Sequence, residues 1–476
     1  MKILMVASES TPYVKTGGLA DVIGALPHAL AAKGHQVAVV LPLYRSVLPK
    51  ITSANRAHDP LTVWFHKDRS YRAGLRSLTD RGVTFYFVDI PELFDRASLY
   101  GEDGGDYIDN DIRFAALSRA SVGIARSVFR PDIFHCHDWQ TGLVGAYLRT
   151  TFRTDPTFIG MRNVFTIHNL GYQGTYGRDT LPELGLSRDL YHPDWMEFWG
   201  NISFLKTGIA YADAFTTVSQ AYAREIQTPE YGFGMDGFIR DRAFKLTGIL
   251  NGADYGEWSP EVDPFIAAHY SADDLTGKVA CKRDLLRTFG LPDDNLDQPV
   301  IGIVSRFASM KGFDLIEQTA WEFLKGDVRL TVLGTGEPHY EGLMRRLAEA
   351  FPGKVGVRIE FSNEVAHKVE AGADIFLMPS RYEPCGLNQI YSLRYGTVPV
   401  VRATGGLDDT INESTGFKFA EYNGGALLHT LNEALLAYTD KELWTGLMKN
   451  GMRRDHSWAT AADEYVRLYR SLLPAG

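Results

Sequence analysis

The tetrapeptide Thr-Gly-Gly-Leu occurs twice in this chain, at Thr16 to Leu19 and at Thr404 to Leu407. Each copy is followed two residues later by an aspartate, Asp21 or Asp409. Both stand after an apolar run and before a helical pattern. Paired glycines at a helix start let backbone N–H groups approach an anion, which the helix dipole also favours. Alone, the tetrapeptide is an ordinary turn. With shared flanks it reads as one device used once in each half of the chain. That calls for strand–loop–helix units with ligand-facing loops at the carboxyl ends of parallel strands.

The rest of the sequence repeats this alternation. Ile3 to Ala7 reads as a strand, Asp21 to Lys33 as a helix with Gly34 placed for a left-handed cap, and Gln36 to Leu41 as the next strand. A right-handed crossover of this kind implies a parallel sheet. The loop SESTPYVKTGGL is not a G-x-G-x-x-G fingerprint, so a dinucleotide cofactor is not expected. Further strands are predicted at Asp132 to His137, Asn163 to Ile167 and Phe215 to Val218, with another ending at Leu250-Asn251-Gly252-Ala253. Residues 96–114 read as a polar surface loop, and 170–180 as a mobile loop facing sugar. A hinge and domain boundary are expected near 245–260. After Pro299 a fresh series begins: strands at Val300 to Val304, Val328 to Leu333, Val357 to Phe361, Ile375 to Met378 and Val398 to Val401, with helices at 364–371 and Leu387 to Tyr395. His456 to Leu473 carries an amphipathic helical pattern.

A chain of 476 residues is too long for one core, so two large domains are expected. The net charge of −9 argues against a nucleic-acid surface. The cysteines, Cys136, Cys281 and Cys385, are sparse and odd in number, which suits a reducing compartment. The first residues read as a strand rather than a signal peptide, and no window approaches 18 uncharged apolar residues. A cytoplasmic protein with no membrane span is expected. His135 and His137 of the row HisCysHisAsp share a strand face, yet no further ligand cluster accompanies them, so no metal is expected.

Polar residues recur at predicted strand ends: Lys15, Asp138 and His168 in the first half, Arg306 and Glu383 in the second. Arg306 and Lys311 share one strand-to-helix loop, where a guanidinium fork and an ammonium suit a diphosphate. Glu383 stands in a Pro/Gly loop and can accept hydrogen bonds from hydroxyls. A ligand with a phosphate end and a polyol end, such as a nucleotide sugar, fits both.

Taken together, KTGGLADV (15–22), HDW (137–139), IHNLGYQG (167–174), SRF with KG (305–312), SRYEPCGLNQIY (380–391) and TGGLDDT (404–410) resemble the bacterial glycogen synthases and plant starch synthases. The resemblance covers nearly the whole chain, in order. It implies an α/β chain of GT-B type, two Rossmann-like doubly wound parallel-sheet domains facing across a deep cleft. These would be 1–248, an acceptor-side domain, and 249–456, a nucleotide-sugar-binding domain, with helix 457–476 packing back on the first. It implies a retaining glucosyltransferase moving glucose from ADP-glucose to glycogen or a maltooligosaccharide, without cofactor. By resemblance Lys15 and Gly18 contact the donor's phosphate region from the first domain, and Asp21 is one of the substrate-binding residues. Arg306 and Lys311 clamp the diphosphate, to which Thr404, Gly405 and Gly406 offer backbone donors. Glu383, Cys385, Gly386 and Leu387 surround the transferred glucose, which Asp138, Asn251 and His168 face from the other side. The catalytic set is His168, Glu383, Lys311 and Arg306. Many retaining enzymes of this fold carry E-x₇-E; here the position eight after Glu383 is Tyr391, so a two-glutamate mechanism does not carry over. A glucan phosphorylase would need pyridoxal phosphate and a longer chain, and a non-catalytic glucan binder would need no diphosphate cations.

Overall fold

Buried apolar runs of four to seven residues set the architecture, because strands covered by helices on both faces carry no polar alternation. The computed structural model describes residues 1–51, 56–66, 68–102 and 104–474. Asp103 of the Gly-rich loop and positions 475 and 476 of the expected terminal segment lie outside the described residues. The chain divides into two units. One comprises Met1–Val218, Ala223–Leu250 and Trp458–Gly476, the other Ser219–Tyr222 and Asn251–Ser457.

The first unit is built on a nine-stranded sheet, ordered Leu246–Gly248, Ala214–Thr217, Arg162–Ile167, Ile133–His137, Lys2–Val6, Gln36–Pro42, Val83–Asp89, Arg69–Asp80, Arg56–His66. Pairing is parallel as far as Val83–Asp89, and the last two strands join antiparallel. Ile3, Leu4, Met5 and Val6 are fully buried at its centre. Chain order reverses between Lys2–Val6 and Ile133–His137, so the loops leaving these strands diverge to opposite faces and open a crevice. The helix Trp458–Leu472 belongs to this unit. It buries Tyr465 and Tyr469 completely, pairs Asp463 with Lys33 at 2.7 Å and receives Arg162 Nε on the Leu472 carbonyl at 2.9 Å.

The second unit carries six parallel strands, ordered Val355–Arg358, Arg329–Leu333, Val300–Val304, Ile375–Met378, Val398–Arg402, Phe417–Phe419. Numbered within the unit this is 3-2-1-4-5-6, the dinucleotide-fold order, with its switch point between Val300–Val304 and Ile375–Met378.

Several local expectations are corrected. The strand predicted to end at Ala253 is Leu246–Gly248 and stops short of Asn251. Val357 to Phe361 is displaced to Val355–Arg358, because Gly356 permits Phe289 to pack against it while Phe361 is 92% exposed. The loop 170–180 contains a strand, Thr175–Gly177, paired antiparallel with Asn201–Ser203. Within 96–114 the helix Asn110–Ser127 already begins at Asn110, after a short hairpin of Gly101–Glu102 with Gly105–Asp106. No helix among the described residues is long and apolar enough to cross a membrane.

Candidate active site

Each unit gathers its polar groups where its strand order reverses. In the first unit Thr16 and Gly17 precede the helix Gly18–Ala32, and Gly17 takes the N-cap position. Their amides are already engaged. The Glu9 carboxylate accepts from Thr16 N and from Gly17 N (3.2 Å), and also from Thr16 Oγ1 (2.6 Å) and Tyr100 Oη (2.5 Å). An internal carboxylate thus sits on the anion-attracting helix start. Gly18 is exposed, and among the described residues nothing lies within 4 Å of where its Cβ would stand. Lys15 Nζ meets Asp21 Oδ1 at 2.7 Å, both partly exposed.

Asp138 leaves its strand with φ 56°, a left-handed conformation that costs a non-glycine residue about 1–3 kcal/mol. The turn brings its Oδ1 to the backbone N–H of His168 at 2.7 Å. Burial pushes this carboxyl up to about 7, against the opposing pull of the His168 and Asn169 amides. His168 Nε2 lies 3.0 Å from His137 Nδ1, and the His137 ring packs tilted against that of His135, centroids 4.1 Å apart. His135 is fixed from behind by Thr166 Oγ1 (2.6 Å) and by Tyr469 Oη (2.7 Å) of the terminal helix. Burial pushes His135 and His168 down to about 3 and His137 well below its usual range, so all three rings are neutral at pH 7. The His135–Asp138 row therefore packs a column of neutral imidazoles. Among the described residues no group of three His, Cys, Asp or Glu side chains could hold a metal.

In the second unit Lys311 and Glu383 converge from the two loops at the switch point. Lys311 Nζ stands 2.6 Å from Glu383 Oε2, which also accepts from Ser380 Oγ at 3.1 Å. Gly312 makes the approach feasible. Its φ is 83°, and a Cβ there would stand 2.1 Å from the Pro379 carbonyl oxygen. Arg306 is exposed in the same loop, its Nη2 3.2 Å from Met310 Sδ. The loop 383–387 lies backbone to backbone on the helix start at Gly405. A Cβ on Gly405 would fall 2.0 Å from the Glu383 oxygen, and one on Gly406 2.0 Å from the Cys385 oxygen. The Gly406 N–H donates to the carbonyls of Glu383 (3.3 Å) and Pro384 (3.1 Å). The Gly406 amide, expected to offer a donor to the diphosphate, is engaged by these carbonyls in this structure, and close approach of the two loops accounts for the glycine. Thr404 is the buried N-cap of that helix and Leu387 the N-cap of Asn388–Arg394.

Asn251 Oδ1 and Gln389 Oε1 are buried without a hydrogen bond from the described residues; Gln389 Oε1 lies beside Gly386, and the Asn251 backbone meets the Cys385 thiol. Gln389 Nε2 is spent on the carbonyls of Cys385 (3.0 Å) and Gly386 (3.1 Å), which fixes its oxygen the other way. Gly386, at φ 69°, leaves the space beside that oxygen open. Buried acceptors of this kind call for donor groups from a ligand. The thiol of Cys385 is pushed up to about 12 by burial and is no nucleophile at pH 7. Tyr391 stacks on Trp258, ring centroids 4.1 Å apart, so no second carboxylate occupies its position.

The structure brings Lys311 to Glu383 and Asp138 to His168, four residues the sequence named, and adds Glu9, Tyr100, Ser380 and Gln389, which the sequence did not single out. SESTPYV gives no sign that Glu9 folds back on Thr16. Gln389, four residues after Cys385, had the spacing of a side chain capping the preceding loop.

Residues 2–241 match the model of the starch synthase catalytic domain, and residues 292–446 that of the glycosyl transferases group 1. The chain is 55% identical to a glycogen synthase of Koribacter versatilis, over 98% of both chains, and 46% identical to one of Myxococcus xanthus, over 99% of this chain and 100% of that one. Among solved structures it is similar to the catalytic domain of starch synthase IV from Arabidopsis thaliana bound to ADP and acarbose. The TM-score is 0.88 at 32% identity, covering 99% of each chain. A sucrose-phosphate synthase from Thermosynechococcus elongatus, at TM-score 0.60 and 17% identity, shares the fold. The fold is GT-B, and the chain belongs to the family of bacterial glycogen synthases and starch synthases.

Proposed function

We propose that this chain transfers glucose from ADP-glucose to the non-reducing end of an α-1,4-glucan, with retention at the anomeric carbon. The observation that carries this reading is the pair of orphaned buried acceptors, Asn251 Oδ1 and Gln389 Oε1, on residues that meet the loop of Glu383 to Leu387, whose carboxylate is held on a lysine. A polyol supplies the missing donors, and a diphosphate supplies an anion for the exposed Arg306 and for Lys311, which here rests on Glu383. The starch synthase IV structure holds ADP and acarbose, which supports the adenine nucleotide and the glucan for this chain.

In this reading Arg306 and Lys311 stabilise the charge that builds on the departing phosphate. Glu383, Cys385, Gly386, Leu387 and Asn251 frame the glucose. Thr404 and Gly405 supply a helix N-terminus, whose partial positive charge favours the phosphate. In the first unit Lys15, Gly18 and Asp21 form the loop that serves the phosphate region, while neutral His168 and Asp138 serve the sugar. The protonated thiol of Cys385 and the stacked ring of Tyr391 offer no nucleophile at the position of a second carboxylate. Same-face attack, with the departing phosphate taking the acceptor's proton, meets that arrangement without a covalent intermediate.

The test is ADP release from ADP-glucose with glycogen, against UDP release from UDP-glucose. Glycogen-dependent ADP release is expected, falling by about 10²–10³ in Lys311→Ala and Glu383→Ala. Wild-type turnover in both variants ends the assignment.

A further inference from the structure

Three aromatic rings stand in solvent on neighbouring loops of the first unit: Tyr172 (62% exposed), Trp199 (77%) and Phe233 (48%). They form one patch. The Cβ position of Gly234 is 2.9 Å from Trp199 Nε1, and that of Gly171 is 3.5 Å from the Phe233 ring. Gln173 Nε2 holds the Phe233 carbonyl at 3.1 Å, and the Phe198 ring meets Trp199 edge-on with centroids 6.4 Å apart.

The backbone is bent to display them. Phe198 pairs with Asn201, so Trp199-Gly200 is a two-residue hairpin turn, and both residues have positive φ (50° and 82°). That turn prefers Asn or Asp before Gly, and tryptophan gains nothing from it locally. Phe233-Gly234 repeats the pattern at φ 48° and 79°. Strain kept at exposed, bulky residues points to a role in binding.

The patch also continues from the edge already described. Tyr172 N donates to the Asn169 carbonyl at 3.3 Å, and Gly171 N to Asn169 Oδ1 at 2.9 Å, one residue beyond His168. Its rim is polar, with Gln173 beside Phe233 and Glu197 Oε1 accepting from Gly200 N at 2.9 Å. Flat rings amid hydrogen-bonding groups suit pyranose faces, which are apolar on the C–H side and hydroxylated at the edge.

We propose that Tyr172, Trp199 and Phe233 form a stacking platform for the α-glucan acceptor, holding sugar units beyond the one that reacts. This rests on the glucosyltransferase reading above and assigns that site's acceptor track. None of the three rings joins the chemical step, so the platform acts on long acceptors and leaves short ones alone.

The experiment measures glycogen binding by migration in native gels containing glycogen, together with kinetics on glycogen and on maltotriose. Trp199→Ala and Phe233→Ala are expected to weaken glycogen binding about tenfold each, with glycogen KM rising in step. Their kcat and KM for ADP-glucose, and their use of maltotriose, stay within about twofold. Trp199→Phe restores most of the binding. Trp199→Gly relieves the backbone and unfolds no earlier than wild type, yet binds glycogen as poorly as Trp199→Ala, which a purely structural role does not produce. Wild-type retardation and KM in both alanine variants overturn the platform while leaving the transferase reading intact. Self-association abolished by Trp199→Ala, with glycogen binding unchanged, overturns it in favour of a second copy. A wild-type protein that neither binds glycogen nor releases ADP overturns both readings together.

Discussion

A carboxylate as enclosed as Glu383, 7% exposed, is tolerated when a cation and a hydroxyl meet it. Lys311 is the more exposed partner, at 26% of its side chain against 9% for Glu383. Removing the lysine strands a buried charge, whereas removing the glutamate leaves a lysine that can reach water. Lys311→Ala should therefore lose more stability than Glu383→Ala, by up to about 3 kcal/mol, and Lys311→Ala/Glu383→Ala should recover part of it. Urea unfolding of the three variants checks this. Gly405 makes a sharper case. At φ 45°, with the Glu383 oxygen 2.0 Å from its would-be Cβ, Gly405→Ala must push two loops apart. The expected outcome is a loss of several kcal/mol or no soluble protein, read by thermal melting.

Among the elements, the terminal helix has the clearest duty. Tyr469 Oη bonds His135 Nδ1 at 2.7 Å from behind the column of imidazoles that ends at His168. Tyr469→Phe should cost about 1 kcal/mol and lower kcat modestly with KM for ADP-glucose unchanged, since it loosens the ring stack without touching substrate. The helices and strands most visible in the sequence were those with unbroken apolar runs. Val300–Val304 and Ile375–Met378 match residue for residue, because parallel strands buried on both faces leave no ambiguity. The Arg69–Asp80 strand carried no such signal. Its sequence RSYRAGLRSLTD breaks any alternation with Gly74 and with Leu78 on the less buried face, so no strand is predicted there. At three residues the Thr175–Gly177 strand is too short for any period to register, so the sequence predicts loop there. The same divide applies to the candidate site. Lys311 and Glu383 stand in the loops that follow the strands Val300–Val304 and Ile375–Met378 and are legible there, while Glu9 is brought to Thr16 by a turn of the chain that no local pattern encodes.

For the whole molecule, pH is the simplest probe. Burial pushes His135 and His168 down to about 3 and His137 well below its usual range, so their folded forms resist protonation. The stability they confer is full above about pH 6.5, the unfolded value, and is lost as pH falls through that window towards 3. Each contributes a slope of about 1.4 kcal/mol per pH unit. Asp138, pushed up to about 7, works in the opposite sense: its contribution is full below the unfolded carboxylate value and is lost as pH rises towards 7. Three imidazoles outweigh one carboxyl, so urea midpoints should fall from pH 7 to pH 5. Cys136, Cys281 and Cys385 are free, buried and raised above the usual thiol range. A thiol reagent at pH 7 should label none of them in seconds and all of them once the chain is unfolded.

The division of the chain gives its birth an unusual order. Segment 251–457 is enclosed within a unit whose closing helix, Trp458–Leu472, emerges from the ribosome after it. The inserted piece has every strand of its sheet in hand while its host still lacks the tyrosines that brace His135. Translation from the front and completion from the middle then run against each other, and a nascent polypeptide stalled near position 457 should resist protease in its later half before its earlier one.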